Sequence, residues 1–389
     1  MNSSWLSNTF RIAAIFSFRM LGLFMLIPVF TLYADELHGS TPVLAGIALG
    51  IYGLTQGLLQ IPFGLLSDRY GRKPLIIGGL VLFACGSLLG AWTQHIYGMI
   101  IARMLQGGGA IGSVLIALLA DITLEQHRTK AMAIIGATIG LSFTIALVFS
   151  PIITTWTGLA GIFYVTTALA LFGLVIVYFI PTPKLSKGND TINRQQLEQV
   201  FRNPHLLRLD LGIFLQHFIL TAMFYVLPIM LQMHIHSGQI SSPWRFYLPL
   251  MVGSFLSMIP IMLWTEKHHK TKILFMGAVT VILLANIGLA WLQSTFFLFA
   301  IWLFVYFIAF NLLEAHLPSL ISKQVHPQNK GCAMGVYSSS QFLGIFVGGA
   351  LSGILYDYQG ATGIFMMNAV LALLWLGSTF YLDVEARQR

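Results

Sequence analysis

The sequence predicts an all-α, polytopic membrane protein of twelve transmembrane helices arranged as two pseudo-symmetric six-helix bundles. Three observations predict it. Of 389 residues, 57% are hydrophobic and only 9% charged, against about 25% charged in an ordinary soluble domain. Apolar runs of about 20 residues, the length that crosses a bilayer, recur twelve times along the chain. One long polar segment divides those runs into six and six. A soluble globule of this length has too little interior for so much apolar surface.

The runs fall at 10–34, 43–66, 75–94, 97–120, 130–153 and 160–181, then at 207–232, 245–265, 273–292, 296–320, 331–354 and 361–382. They are far longer than the alternating segments of a β-barrel. The first run carries Arg11 and Arg19 and shows no small-residue cleavage site, so it reads as a retained helix, not a removed signal peptide.

The net charge of +8 would suggest nucleic acid in a soluble protein, but its placement gives it another meaning. Alternate loops hold Arg69, Arg72 and Lys73; Arg128 and Lys130; Lys184, Lys187, Arg194, Arg202 and Arg208. They continue with Lys267, Lys270 and Lys272; Lys323 and Lys330; and Arg387 and Arg389. The opposite loops hold Arg245 alone, and Arg11, Arg19 and Arg103 lie within or at the edges of helices. Basic residues collect on the cytoplasmic side of a membrane protein. Both termini are therefore expected in the cytoplasm of a bacterial cell with the chain in its inner membrane, and no nucleic-acid partner is implied. Cys85 and Cys332 match no metal or redox spacing.

The domain reading is an N-terminal bundle over 1–181, a cytoplasmic linker over 182–206, helical in part, and a C-terminal bundle over 207–389. The halves echo each other. Spans two and eight both end in an acid followed by a base, Asp68-Arg69 and Glu266-Lys267, and spans five and eleven open on Ala131-Met132 and Ala333-Met334. Parallel repeats of six helices are a transporter architecture.

The most specific string is GLLSDRYGRKP at Gly64–Pro74, which fits G-x-x-x-D-R-x-G-R-[KR]. It resembles the motif that follows the second helix in the major facilitator superfamily. Supporting strings are GIYGLTQ at Gly50–Gln56, RMLQGGGAIG at Arg103–Gly112, LPSLISK at Leu317–Lys323 and MGVYSSSQFLG at Met334–Gly344. The resemblance covers nearly the whole chain and is nearest the drug:proton antiporter type, without the small soluble domain that some such proteins carry after the last helix. It implies a conformational latch made by Gly64, Asp68, Arg69, Gly71, Arg72 and Asp121, with Arg72 and Asp121 partnering Asp68 and Asp68 facing the start of span eleven. Gly64 is expected to permit close helix approach and Gly71 a tight turn. For Arg69 and Lys73, setting topology is the competing reading. Span five departs from the antiporter pattern: ALVFSPII at Ala146–Ile153 keeps Pro151 but has Ser150 before it and no glycines after it. Gly136 and Gly140 are expected to allow close packing there.

Ionisable groups inside spans are functional candidates by default. Spans one, four, seven and ten carry most of them here, and in the resembled family those four line a central cavity. The proton-coupling candidates are Glu314, Arg19, Arg103 and His217. Glu314 reads as the only acid in the interior of any span, the residue type that can carry a proton through a transport cycle; a static ion pair with Arg19 or another base is the alternative. Arg19 sits nine residues into its run, in a cavity or ion-pair role. Arg103 and Gln106, at i and i+3, share a face; snorkelling competes with a coupling role for Arg103. His217 is weighed against a simple packing role. The substrate-cavity candidates are Gln106, Gln216, Asn311, Phe24 and Tyr225. Asp35 and Glu36 read as solvated.

No catalytic constellation, phosphate-binding loop or metal-ligand cluster is legible in the sequence, so no enzyme activity, cofactor or metal is expected. The function expected is proton-coupled efflux of a small lipophilic or amphipathic compound by alternating access, by a monomer whose partners are substrate, protons and lipid. The alternatives are a facilitator or importer of a small anionic solute, and a membrane sensor or scaffold that does not transport.

Overall fold

In the computed structural model the described residues are 4–182, 198–200, 202–325 and 330–381. Lys184, Lys187, Arg194, Arg387, Arg389 and most of the 182–206 segment lie outside them; within that segment Glu198–Val200 is helical and Glu198 pairs with Arg202 at 2.7 Å. The chain divides into two compact units, Met1–Thr191 and Ile192–Arg389, and each is built from long helices.

The first unit runs through α1 (Ser4–Phe24), a short α2 (Phe30–Tyr33), a 3₁₀ turn at Ala34–Glu36, α3 (Pro42–Tyr70), α4 (Arg72–Trp92), α5 (Ile96–Gly108), α6 (Gly112–Ile122) and α7 (Glu125–Tyr178). The second contains α8 (Pro204–His236), α9 (Pro243–Lys267), α10 (Thr271–Leu292), α11 (Phe296–Gln324) and α12 (Lys330–Thr379). Nine stretches among the described residues are long and apolar enough to cross a bilayer. Two of them, α7 with 54 residues and α12 with 50, exceed any bilayer thickness at 1.5 Å per residue. Each is interrupted once, by Gly158 (φ 62°, ψ −165°) and by Gly360 (φ 63°, ψ −158°). That backbone region is open essentially to glycine alone. Taken as two spans apiece, and with α1 added, these helices make the twelve the sequence predicts.

Helix ends follow local chemistry. Thr41 caps α3 by accepting from the Leu44 N–H at 3.2 Å, with Pro42 at the first helical position. Asn203 does the same for α8, accepting from His205 N–H at 3.0 Å ahead of Pro204. α3 stops at Gly71, whose φ of 96° turns the chain into α4 while its N–H donates to the Ser67 carbonyl at 3.0 Å. The fourth span is broken: the backbone leaves helical geometry at Gly109–Ile111, so α5 and α6 are separate pieces.

The two units repeat one packing scheme. α1 packs on α7, α4 on α7 and on α5, and α3 on α5; correspondingly α8 packs on α12, α10 on α12 and on α11, and α9 on α11. Large exposed aromatics sit near helix ends, including Trp92, Trp156, Tyr178, Trp264, Trp291 and Tyr381, where rings settle at a membrane–water boundary. α8 is different: nearly every residue from Leu215 to Leu231 is buried, the pattern of a helix enclosed by others.

Two packing expectations fail. A Cβ on Gly64 would make only an ordinary contact, 3.7 Å from Ser113 Oγ, and one on Gly136 would meet nothing within 4 Å. Neither glycine is where backbones meet. Close approaches to backbone occur instead at glycines such as Gly107, against the Tyr52 carbonyl, and Gly344, against the Phe214 carbonyl; a side chain at either would overlap backbone.

Candidate functional site

In the second unit α8 and α11 bring their polar residues together. Gln216 Nε2 donates to Glu314 Oε2 at 3.0 Å and also approaches the Phe310 carbonyl at 3.3 Å. His217 Nε2 lies 3.8 Å from the same carboxylate oxygen. From α12, Gln341 Nε2 stands 2.8 Å from His217 Nε2, and the Phe310 ring meets the imidazole edge-on at 6.0 Å. Glu314 is one-third exposed while His217 is buried. The arrangement is a carboxylate within reach of an imidazole, braced by two amides. Gln341 escaped the sequence reading because nothing local distinguishes it from other polar residues of its span.

Asn311 faces another way, donating to Ser254 Oγ of α9 at 3.3 Å. Tyr225 is buried beside Tyr356, ring centroids 5.5 Å apart, and Phe24 meets Phe143 edge-on at 5.0 Å. His316 turns back to the Leu312 carbonyl of its own helix at 2.8 Å.

The first unit contains the opposite chemistry. Arg103 is 1% exposed, which excludes snorkelling to either surface. Its Nη1 donates to Gln106 Oε1 at 2.8 Å, Gln106 Nε2 donates to Ser87 Oγ at 2.8 Å, and the guanidinium lies 4.9 Å from the Tyr52 ring centroid. Gln106 is thus engaged at both ends inside the bundle and braces Arg103. Gly86 makes this possible: a Cβ there would stand 2.7 Å from Gln106 N. Arg19 is 2% exposed. Because α1 begins at Ser4 and not near residue 10, Arg19 lies about 22 Å along the helix. Nε and Nη2 of both arginines have no hydrogen-bond partner among the described residues. Next to Arg19, Gln60 accepts from Gln56 at 2.8 Å, and Gly112 leaves open the space that Arg19 Nη1 borders.

At the α3–α4 corner Arg72 pairs with Asp68, with Asp121 at 2.9 Å through Nε, and with Ser67 Oγ at 2.6 Å. One guanidinium therefore ties the end of α3 and the start of α4 to the end of α6. Arg69 is exposed and lies over Tyr70.

One sequence expectation is overturned here. Glu314 is not the only acid inside a span: Asp210, in α8, is 6% exposed, and neither carboxylate oxygen has a partner among the described residues. Its proximity to the polar linker hid it, yet its spacing of seven from His217 puts both on one helix face.

A family model described as Major Facilitator Superfamily matches residues 12–338 and 250–389. The chain belongs to the major facilitator superfamily. It is 43% identical over 382 residues to the inner membrane transport protein YajR of Escherichia coli (strain K12), covering 95% of this chain and 81% of that one. It is 27% identical over 356 residues to the multidrug resistance protein MdtH of Aeromonas salmonicida, covering 88% and 86%. Among solved structures it resembles that of a bacterial homologue of the human lysosomal transporter Spinster, with a TM-score of 0.75 at 11% identity, covering 96% of this chain and 95% of that one. The protein is a multi-pass membrane transporter of the superfamily fold and not an enzyme.

Proposed function

We propose that this transporter moves a small lipophilic or amphipathic compound out of a bacterial cell in exchange for protons, acting as a monomer in the inner membrane with both termini cytoplasmic. The observation that carries this reading is the Glu314–Gln216–His217 cluster: a partly exposed carboxylate deep in a span, beside an imidazole that can take or return its proton. The helix that carries Glu314 is rich in aromatics, among them Tyr306, Phe307 and Phe310, which suit an apolar solute better than a sugar. The name of the multidrug resistance relative points the same way, as does the one-sided distribution of basic loops for orientation. Arg72, joining Asp68 and Asp121, serves as the conformational latch.

A second reading, transport of an anionic solute, draws on Arg19 and Arg103, two buried cations that pair with no acid among the described residues. The test begins with thermal shifts of the purified protein against panels of lipophilic and anionic compounds. Compounds that stabilise it are then assayed in proteoliposomes under an imposed pH gradient. Uphill export in wild type that vanishes in Glu314→Gln is the expected result. Proton-driven flux that survives in Glu314→Gln removes Glu314 from the mechanism, and gradient-independent flux of anions favours the second reading.

A further inference from the structure

Asp210 is a buried acid to which the reading above gives no task. The cations nearest it along the chain and at the neighbouring helix ends are engaged elsewhere: Arg208 Nη1 donates to the Tyr381 carbonyl at 2.7 Å, and Lys272 Nζ to the Phe380 carbonyl at 3.1 Å. Both thereby serve the carbonyl end of α12, where positive charge is favoured, and neither pairs with Asp210 among the described residues. From α12, Tyr337 is buried with its hydroxyl unpartnered. Tyr337 interacts electrostatically with both Glu314 and Asp210, and it stands one turn before Gln341, the α12 residue that meets His217.

The helices hold this order in register. Gly344 rests on the Phe214 carbonyl and Gly348 on that of Phe218, so α8 and α12 run side by side in the same direction. Tyr337, seven residues before Gly344, therefore shares a stripe of α12 with it, at the level of the first turns of α8. On α8, Asp210 stands about 10 Å along the axis from His217, on the same face. Of the other ionisable groups on elements packed there, Cys332 is a buried thiol five residues before Tyr337, and His316 is turned to its own helix.

We infer that Asp210 is a second proton-binding site, with Tyr337 as the relay linking it to the Glu314 cluster. The inference rests on Glu314 being the coupling acid. A proton leaving the Glu314 carboxyl reaches the Tyr337 oxygen through bridging water as the Tyr337 hydroxyl proton passes to the Asp210 carboxylate. Glu314 ends ionised, Asp210 neutral and Tyr337 unchanged. Release of the proton at the Pro204 end of α8 resets the pair. Asp210 gives the proton a stop near that end of the helix, and two buried polar groups without partners are what a bridging water requires.

The test counts protons on the full chain in nanodiscs, titrated between about pH 5 and about pH 9 in weakly buffered solution. Wild type, Asp210→Asn, Glu314→Gln and the double variant are compared after size-exclusion chromatography shows each to be folded. Each single variant is expected to bind one proton fewer than wild type and the double variant two fewer. If Asp210→Asn titrates as wild type, Asp210 is not a proton site, while a loss in Glu314→Gln alone leaves the coupling reading standing. If Glu314→Gln titrates as wild type, the coupling reading fails and with it the relay. Should Asp210→Asn not fold, Asp210→Glu keeps the site testable: the infrared band of its protonated carboxyl moves if Asp210 binds a proton and stays unchanged if it does not. Tyr337→Phe is expected to keep both protons and to slow protonation of Glu314 after a pH jump at least tenfold; an unchanged rate overturns the relay.

Discussion

The two halves share a scaffold and differ in the charge they bury. Each pairs its helices by the same scheme, and each joins its last two spans through one glycine at φ near 60°. Yet, among the described residues, the first buries Arg19 and Arg103 with no buried acid, and the second buries Asp210, and in part Glu314, with no buried lysine or arginine. A repeated fold therefore fixes where helices touch and leaves each half free to place its own chemistry. Geometry is carried by glycines at crossings, while each of the few buried charges costs a few kcal/mol to keep in hydrocarbon.

The largest test of the shared scaffold is steric. Gly107→Leu in the first half and Gly344→Leu in the second are each expected to cost about 3 kcal/mol or more, because each side chain meets a backbone carbonyl that cannot move aside. Gly136→Leu, facing open space, is expected to change stability by less than about 1 kcal/mol. Thermal unfolding in detergent compares all three, and equal effects at Gly136 and Gly344 would erase the distinction between crossing and non-crossing glycines.

Next comes the contrast in charge. Arg19→Met and Asp210→Asn are each expected to stabilise the fold by about 2 kcal/mol, since each removes a buried charge with polar atoms that lack partners among the described residues. A fall in melting temperature for either variant would break the comparison by revealing a partner for that charge. Smaller again is the latch: Arg72→Ala is expected to cost about 1 kcal/mol, more than Asp68→Asn or Asp121→Asn alone, because one guanidinium holds both partly exposed acids. The smallest effect concerns one corner of the repeat. Gly71 and His269 both have positive φ where spans two and eight turn back, at 96° and 53°. His269→Gly is expected to gain less than about 1 kcal/mol, and no gain would show that the second corner is already relaxed.

The fold was legible because the signals for spans are long and additive: twelve apolar runs and one polar interruption survive boundary errors of several residues. The site was legible only in part. Glu314, Gln216 and His217 could be named because polar side chains stand out in apolar helices, but their meeting depends on which faces α8 and α11 turn to each other. Asp210 was overlooked because a short stretch beside a linker looks the same whether it is solvated or enclosed. The pairing of Gln106 with Ser87 was not legible because Ser87 lies on another helix. Gly64 and Gly136 read as packing glycines because spacing cannot tell what a glycine faces.

Gly158 and Gly360 carry a mechanical consequence. Each joins two spans through a single residue of reversed backbone sense, leaving no slack in the connection. Spans five and six cannot slide past one another, nor can eleven and twelve, without unwinding helix on one side of the glycine. Any motion that changes the shape of a half must therefore carry each hairpin as one stiff piece, with bending confined to the pivots at its open end.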